Sequence, residues 1–286
     1  MMHPVRPSHI SMTTLGLLLA SGSTAPASAQ VFTGVDATLA SSYVWRGVTR
    51  VNHWVLQPEV YVGLGLGGGF LSAGAWANAE LHQARAGDLS DLGPGGSGWG
   101  EISYWASFNG RQGVADFSVA FLRYTYRGTG SGLSRTSAAN TSEIYASMRF
   151  SSRFLAPKLS GYFDIGRVKG TYIEASGTIP MLGNPLGVPF WALYMEGVIG
   201  YCLGQEVNPG EFANFANDGF THFDLALSGN LTPRLVGAPT TVHLEGHVQF
   251  NSDNFTRRTS SAGTGANSSA TAWFTVSVRW EHAWLR

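Results

Sequence analysis

Apolar and polar residues alternate with a period of two along most of this chain. Val60, Val62 and Leu64 fall on one face of an extended segment, and Glu59 and Tyr61 fall on the other. Similar alternation recurs about twelve times before the chain ends, and no segment has a helical period. A period of two indicates β-strands that have one apolar and one polar face.

The length of these segments indicates what the apolar face meets. The predicted strands have about ten residues, which is the length that a tilted strand needs to cross a bilayer. The first is predicted from Val35 to Trp45 and the last from Phe274 to Trp284. The pattern therefore predicts an all-β fold: an antiparallel transmembrane β-barrel of about twelve strands, with short periplasmic turns and longer extracellular loops.

The connections between the predicted strands alternate in length. All four of the longest connections fall in the set expected outside the cell, as in bacterial outer-membrane barrels. A secreted β-sandwich is the alternative, but it has no reason to alternate in this way. The outer set is 47–54, 82–99, 127–141, 167–170, 204–219 and 251–270, and the inner set is 67–69, 109–113, 151–157, 180–187 and 230–239.

Aromatic residues end the first and last predicted strands on their apolar faces. Tyr43 and Trp45 end the first, and Trp280 and Trp284 end the last. Rings with an apolar body and a polar tip favour the headgroup level of a membrane. The final strand also resembles the C-terminal segment by which outer-membrane barrels are recognised, so we expect the barrel-assembly machinery as a partner.

The N-terminal segment predicts export. Arg6 precedes an apolar run from Leu15 to Ala20, and the small residues Ala27-Ser28-Ala29 follow. This order is typical of a secretory signal peptide, which predicts removal of residues 1–29 and a single barrel domain over 30–286. An N-terminal anchor helix is the alternative, but the apolar run is too short for it.

Composition narrows the class of protein. Only 13% of residues are charged, about half the usual fraction, and the 18 basic residues balance the 18 acidic ones. A neutral chain is a poor nucleic-acid binder, and 12% aromatic residues argue against disorder. The single cysteine, Cys202, excludes an intramolecular disulfide and a four-cysteine zinc site. We expect no cofactor.

A short motif follows the first predicted strand. The segment Ser42-Tyr43-Val44-Trp45-Arg46-Gly47-Val48, with Gln57-Pro58 after it, resembles the opening of the TorF-type porins, a proteobacterial family of outer-membrane β-barrels with an S-x-Y-x-x-R-G motif. The resemblance covers about 45 residues. It implies a single-domain barrel with a pore and no established substrate. Tyr43, Arg46 and Gly47 carry the motif, and we expect Arg46 and Gly47 to turn the chain at the outer rim, with ligand binding as the alternative.

Acidic residues are confined by the strand phase. Each predicted strand has one inward acid, and the remaining acids lie in outer loops, so none faces lipid, where a charge costs about 2–4 kcal/mol at mid-membrane. Clear inward bases are few, chiefly Arg149 and Arg279, while Arg123 has the opposite phase near the outer end of its strand. The predicted pore-lining residues are Asp36, Glu59, Glu80, Glu101, Asp116, Glu143, Arg149, Asp164, Glu174, Glu196, Asp224 and Glu245, and Glu281 has the same phase.

An acid-rich lumen predicts the function. A low-dielectric wall focuses the field of its carboxylates, concentrating cations and repelling anions. We therefore expect a porin or diffusion channel for small hydrophilic solutes, weakly preferring cations, in the bacterial outer membrane beside lipids and lipopolysaccharide. The alternative is a structural barrel that conducts little, because loops including Arg257 and Arg258 fold inward, neutralise the acids and plug the lumen.

Enzymatic and metal sites have weaker support. A lipid-modifying barrel needs a nucleophile beside an outward histidine, but His282 has Trp280 and Trp284 as its neighbours on that face. His243, Glu245 and His247 share a face, yet successive side chains on one face stand nearly 7 Å apart, so a hydrated polar wall is favoured over a metal site. We predict that the chain is not an enzyme and binds no metal.

Overall fold

The computed structural model describes residues 30–83, 92, 96–127, 140–152, 154–181, 191–205, 215–231, 240–253 and 269–284. The predicted signal peptide and the loop that contains Arg257 and Arg258 lie outside these ranges. In these ranges no helix has the length and apolar character needed to cross a membrane.

Fourteen β-strands run through the described ranges. Twelve of them are long, and two short strands lie between the first and second long ones. The strands are β1 (Val31–Ala40), β2 (Tyr43–Trp45), β3 (Val48–Val51), β4 (Val55–Leu66), β5 (Gly69–Glu80), β6 (Gly98–Gln112), β7 (Ala115–Tyr126), β8 (Thr141–Phe150), β9 (Ala156–Asp164), β10 (Thr171–Pro180), β11 (Trp191–Leu203), β12 (Gly219–Leu231), β13 (Thr240–Asn251) and β14 (Ala270–Ala283).

The twelve long strands close into one antiparallel barrel. Each pairs with its neighbours along the chain, and β1 pairs with both β4 and β14. Asp36 marks the closure, since it is in register with Glu59 on one side and Arg279 on the other. The predicted fold class is therefore confirmed, including the number of barrel strands.

The two ends of the barrel differ. One end, the turn end, includes tight connections such as the glycine turn between β4 and β5. The other, the loop end, carries the long connections at 81–97, 127–140, 204–218 and 252–269. Apart from the first outer connection, the alternation predicted from the sequence is present.

Large apolar side chains cover the outside of the barrel. Val60 and Val62 are 52% and 48% exposed, whereas Glu59 and Tyr61 between them are 2% and 6% exposed. This alternation continues around the barrel, with exposed outward residues such as Leu159 on β9. An apolar outer face with polar groups inside is the arrangement of a barrel that spans a lipid bilayer.

The first predicted strand is wrong at its end. β1 stops at Ala40, the chain bends at Ser41 and Ser42, and Tyr43 and Trp45 are 1% and 3% exposed. Tyr43 and Trp45 therefore do not lie on the outer face of the barrel. The predicted outer connection 47–54 is also wrong, because it contains β3, which lies inside the barrel. The alternating pattern continues through residue 45, so periodicity alone does not reveal the bend. Burial in the lumen removes these aromatic side chains from water, which favours the inward path.

Candidate functional site: the lumen and its inward hairpin

A two-stranded hairpin, residues 43–51, lies inside the loop end of the barrel and is called here the lumen hairpin. It is formed by β2 and β3, and every residue of these two strands is buried. Arg46 and Gly47 make its turn with φ angles of 50° and 85°. A Cβ on Gly47 would lie 2.4 Å from Nδ1 of His222, so both the backbone and the space demand glycine there. The motif turns the chain as predicted, but within the lumen and not at the rim.

Arg46 binds the barrel wall through a buried carboxylate. Its Nη1 donates to Oε1 of Glu143 at 2.8 Å and its Nη2 donates to Oε2 at 2.6 Å. The Tyr124 hydroxyl donates to the same Oε2 at 2.7 Å. Two parallel bonds between a guanidinium and a carboxylate fix orientation as well as charge.

Aromatic rings surround the Arg46 guanidinium. Its central carbon lies 4.1 Å from the ring centroid of Tyr162, 4.4 Å from that of Trp45 and 5.0 Å from that of Tyr172. These distances are those of cation–π contacts. Burial alone would lower the pKa of Arg46, but the Glu143 carboxylate raises the pKa above its ordinary value. Arg46 is therefore a permanent cation held inside the barrel.

Other bonds attach the lumen hairpin to further strands. The Tyr43 hydroxyl donates to Oε2 of Glu101 on β6 at 3.0 Å, and Nε2 of Gln249 on β13 donates to the carbonyl oxygen of Gly47 at 2.7 Å. In the ring of twelve strands, β13 lies five strands from β8, which carries Glu143. The hairpin is thus bonded to nearly opposite walls and crosses the lumen.

A second connection also reaches inward at this end. Phe215, which precedes β12, is fully buried and stacks on Tyr172 with centroids 5.8 Å apart and planes 7° apart. The backbone amides of Ala216 and Asn217 donate to the Asp253 carboxylate at 3.0 and 3.2 Å. This connection therefore packs against the inner wall of the barrel beside the lumen hairpin, since Tyr172 also faces the Arg46 guanidinium.

The predicted lumen residues all lie on the inward phase of their strands. Asp116 and Arg149 are partly exposed near the turn end, and Glu174 is partly exposed near mid-strand. The other nine are at most 4% exposed: Asp36, Glu59, Glu80, Glu101, Glu143, Asp164, Glu196, Asp224 and Glu245.

Several of these acids have specific partners. Asp36 accepts from Nε of Arg279 at 3.3 Å, which joins the first and last barrel strands. Glu59 accepts from the indole Nε1 of Trp105 at 2.8 Å. Asp116 lies 3.5 Å from Nε of Arg111 at the turn end. Part of the acidic charge is thus used in holding the wall together.

His247 lies between two carboxylates. Its Nδ1 is 2.9 Å from Asp224 and its Nε2 is 3.1 Å from Glu245, while its ring stacks on Trp273 with centroids 4.4 Å apart. In the described ranges no group of three His, Cys, Asp or Glu side chains is arranged to hold a metal ion. His247 links β12 to β13 through its carboxylate contacts, since Asp224 lies on β12 and Glu245 on β13.

Four inward bases were absent from the sequence prediction: Arg46, Arg50, Arg111 and Lys158. Arg46 was expected at the outer rim and Arg50 in the outer connection 47–54, but both are buried, at 5% and 3% exposed. Lys158, on the inward phase of β9, is opposite Arg149 in register. The burial of Arg46 and Arg50 could have been predicted from their neighbours, because residues 43–51 are too apolar for a loop that is surrounded by water.

The outward histidine has the surroundings expected from its strand. His282 stacks on Trp280 with centroids 5.8 Å apart and meets the edge of Trp284 at 4.5 Å. These are aromatic contacts at the turn end, where the Trp284 indole also donates to Thr33 Oγ1 at 2.8 Å.

Comparisons with known proteins give structural similarity alone. No family model and no curated protein matches the chain, so the resemblance to TorF-type porins stays a prediction. Among solved structures, the COG4313 outer membrane channel from Pseudomonas putida F1 is 11% identical (TM-score 0.44, covering 91% of this chain and 97% of that one). LpxR from Salmonella typhimurium is 6% identical (TM-score 0.49, 86% and 99%), and the outer membrane protein opdK from Pseudomonas aeruginosa is 10% identical (TM-score 0.36, 90% and 99%). The fold assignment rests on the strand pairing described above.

Proposed function

We propose that this protein is a bacterial outer-membrane channel for small hydrophilic solutes, weakly preferring cations, in which the lumen hairpin closes the loop end. The observation that carries the proposal is the buried pair between Arg46 and Glu143, which fastens a chain segment across the lumen. A barrel that served only as a scaffold would need packed walls, but no charged fastening on a separate hairpin.

The membrane placement is part of the proposal. The apolar outer face supports insertion in a bilayer, and the short connections support a periplasmic turn end. We propose that residues 1–29 direct export, that the barrel-assembly machinery inserts residues 30–286, and that the loop end faces outward. We assign no catalysis to the chain, because aromatic rings flank the outward His282.

The cation preference is supported by the residues on the inward phase. Twelve acids stand against six bases in the described strands and the lumen hairpin, and this excess favours cations in a narrow, low-dielectric passage. The acids are the eleven predicted above together with Glu281, and the bases are Arg46, Arg50, Arg111, Arg149, Lys158 and Arg279.

Planar-bilayer recordings in a potassium chloride gradient test the proposal. We expect the natural protein to be closed for most of the time and Arg46→Gln to conduct steadily, because the hairpin loses its charge pair. The reversal potential of Arg46→Gln should have the sign for potassium. Arg111→Gln is the matched control, since it removes a cation paired with Asp116 at the opposite end and should stay closed.

A structural barrel is the second candidate, supported by the burial of the inward side chains. To separate it from a channel, residues 42–52 are replaced by a short glycine-serine linker. A folded barrel that stays closed without its lumen hairpin would contradict the channel and favour the scaffold. Steady conductance with a preference for chloride would contradict only the cation preference.

A further inference from the structure

One charged side chain breaks the apolar outer face of the described strands. On their outward phase, Arg123 is the single Asp, Glu, Lys or Arg residue. It lies on β7, three residues before the strand ends at Tyr126 on the loop end. A charge on the lipid face costs least near an interface, so this position indicates contact with lipid headgroups.

The residues around Arg123 are those expected at the membrane interface. Arg123 is opposite Ser142 on β8 and Tyr104 on β6, and its Nη1 donates to Ser142 Oγ at 3.1 Å. Tyr104 is 51% exposed on the same outer face. A tyrosine beside an arginine at a strand end is typical of a membrane interface, where ring and cation share the headgroup layer.

Three further bases lie at the same end of this part of the barrel, and the four are called here the rim cluster: Arg123, Arg127, Arg167 and Lys169. Arg127 follows β7 on the same phase as Arg123 and is exposed. Arg167 and Lys169 are exposed in the turn between β9 and β10. That turn touches β8, since the amides of Ile165 and Arg167 donate to the Ser142 carbonyl and to Thr141 Oγ1, both at 2.9 Å.

The turn that carries two of these bases is held in place. Oδ1 of Asp164 accepts from the amides of Gly166, Val168 and Lys169 at 2.9 to 3.2 Å, and its Oδ2 accepts from Thr141. Asp164 is 1% exposed, so its charge is directed into the turn and away from the outer surface.

The acids near this side of the loop end face inward. Glu143 and Glu174, like Asp164, are on the inward phase of β8, β10 and β9. The rim cluster thus presents several cations on an outer surface where the described strands place no carboxylate. Guanidinium and ammonium groups bind phosphate through charge-assisted hydrogen bonds.

We propose that the rim cluster binds the phosphate groups of a phosphorylated glycolipid, such as lipopolysaccharide, in the leaflet around the loop end. This rests on the proposed membrane orientation. Arg123 reaches the lipid from within the headgroup layer, while Arg127, Arg167 and Lys169 reach it from the rim. Charge complementarity and the position of Arg123 on the lipid-facing surface favour a lipid over a soluble anion.

Lipid retention tests the proposal directly. The folded barrel is reconstituted in phosphatidylcholine nanodiscs containing lipopolysaccharide, and bound copies are counted by native mass spectrometry. We expect retention to weaken about five-fold in Arg123→Gln and in Arg167→Gln, the effect of one basic group at an anionic surface. Arg111→Gln is the control, since it removes one charge at the turn end and should leave retention unchanged.

Two further arms identify the ligand and separate the proposals. The natural protein should retain lipopolysaccharide stripped of its phosphates no better than Arg123→Gln retains the intact lipid. Inorganic phosphate should not compete at millimolar concentration. Equal retention by the natural protein and Arg123→Gln would overturn the rim cluster as a lipid site, and so would competition by inorganic phosphate. Folding is checked by heat-modifiable gel migration and the channel by conductance, so a failure of membrane insertion or of conductance is seen independently.

Discussion

Arg46 and Glu143 are 97 positions apart in the chain and meet inside the barrel through two hydrogen bonds of 2.8 and 2.6 Å. Their side chains are 1% and 2% exposed, so water does not share the contact. Removing one partner of a buried ion pair leaves the other charge without compensation in a medium of low dielectric constant. This pair is therefore the point at which the position of the lumen hairpin is most sensitive to mutation.

Glu143→Gln should lower the free energy of unfolding by about 3–5 kcal/mol, because Arg46 loses its buried counter-charge. Asp116→Asn is the matched control. It breaks a pair with Arg111 in which both side chains are more than a third exposed, and such a pair contributes at most about 1 kcal/mol. Both are measured by denaturant titration with tryptophan fluorescence. Equal losses in the two variants would contradict the special role of the buried pair.

Exchanging the two charges should not restore a closed channel. In the double variant Arg46→Glu, Glu143→Arg, a carboxylate would occupy the place among the rings of Trp45, Tyr162 and Tyr172, whose faces attract cations and repel anions. We expect steady conductance like that of Arg46→Gln. Full recovery of the closed state would show that charge pairing alone is sufficient.

Gly47→Ala should release the lumen hairpin. Gly47 has φ of 85°, and an added Cβ would lie 2.4 Å from Nδ1 of His222. Gly113→Ala is the control, since Gly113 has φ of 60° in a turn with no atom within 4 Å of an added Cβ. In both variants the left-handed backbone should lower the free energy of unfolding by about 1–2 kcal/mol. Gly47→Ala should lose further stability because of the contact with His222, and only this variant should conduct steadily. Similar conductance in the two variants would argue against a steric fit to His222.

A charge at the middle of the outer face should destabilise the inserted barrel. Val119 is 50% exposed at the centre of β7, and Val119→Arg should cost about 2–4 kcal/mol in a bilayer. Val114, 64% exposed in the turn before β7, provides the control Val114→Arg, which should cost less than about 1 kcal/mol. Unfolding from lipid vesicles measures both. If Val119→Arg costs no more than Val114→Arg, this face does not lie in lipid.

Inward charges should set ion selectivity once the lumen hairpin is released. In the Arg46→Gln background, Glu174→Gln together with Glu196→Gln should lower the ratio of potassium to chloride permeability. Lys158→Gln should raise the ratio, because it removes a cation from the same part of the wall. Reversal potentials in a salt gradient measure both changes. Shifts in the same direction would show that these side chains do not face the ion path.

The outer wall of the barrel was predictable because its rule is local. A strand places alternate side chains on opposite faces, so sequence position alone predicts that Val60 and Glu59 lie on opposite faces. The length of each β-strand follows from the thickness of the bilayer. Arg123 was recognised in the same way as a charge on the opposite phase. The other bases of the rim cluster, Arg167 and Lys169, were not, because only strand pairing brings the β9–β10 turn beside β8, which in turn pairs with β7.

The interior required the tertiary structure. The alternation that predicts a strand through Trp45 is satisfied equally by a bend at Ser41 that puts Tyr43 and Trp45 in the lumen, because either path removes them from water. Nothing in the local sequence joins Arg46 to Glu143.

The sequence by itself determined the barrel, its strand phase and the confinement of acids to one face, because side-chain alternation and the cost of charge in lipid act residue by residue. Only the tertiary structure decided that the S-x-Y-x-x-R-G segment enters the lumen. That choice depends on a carboxylate, three aromatic rings and a glycine-sized space at His222, which come together only when the barrel closes.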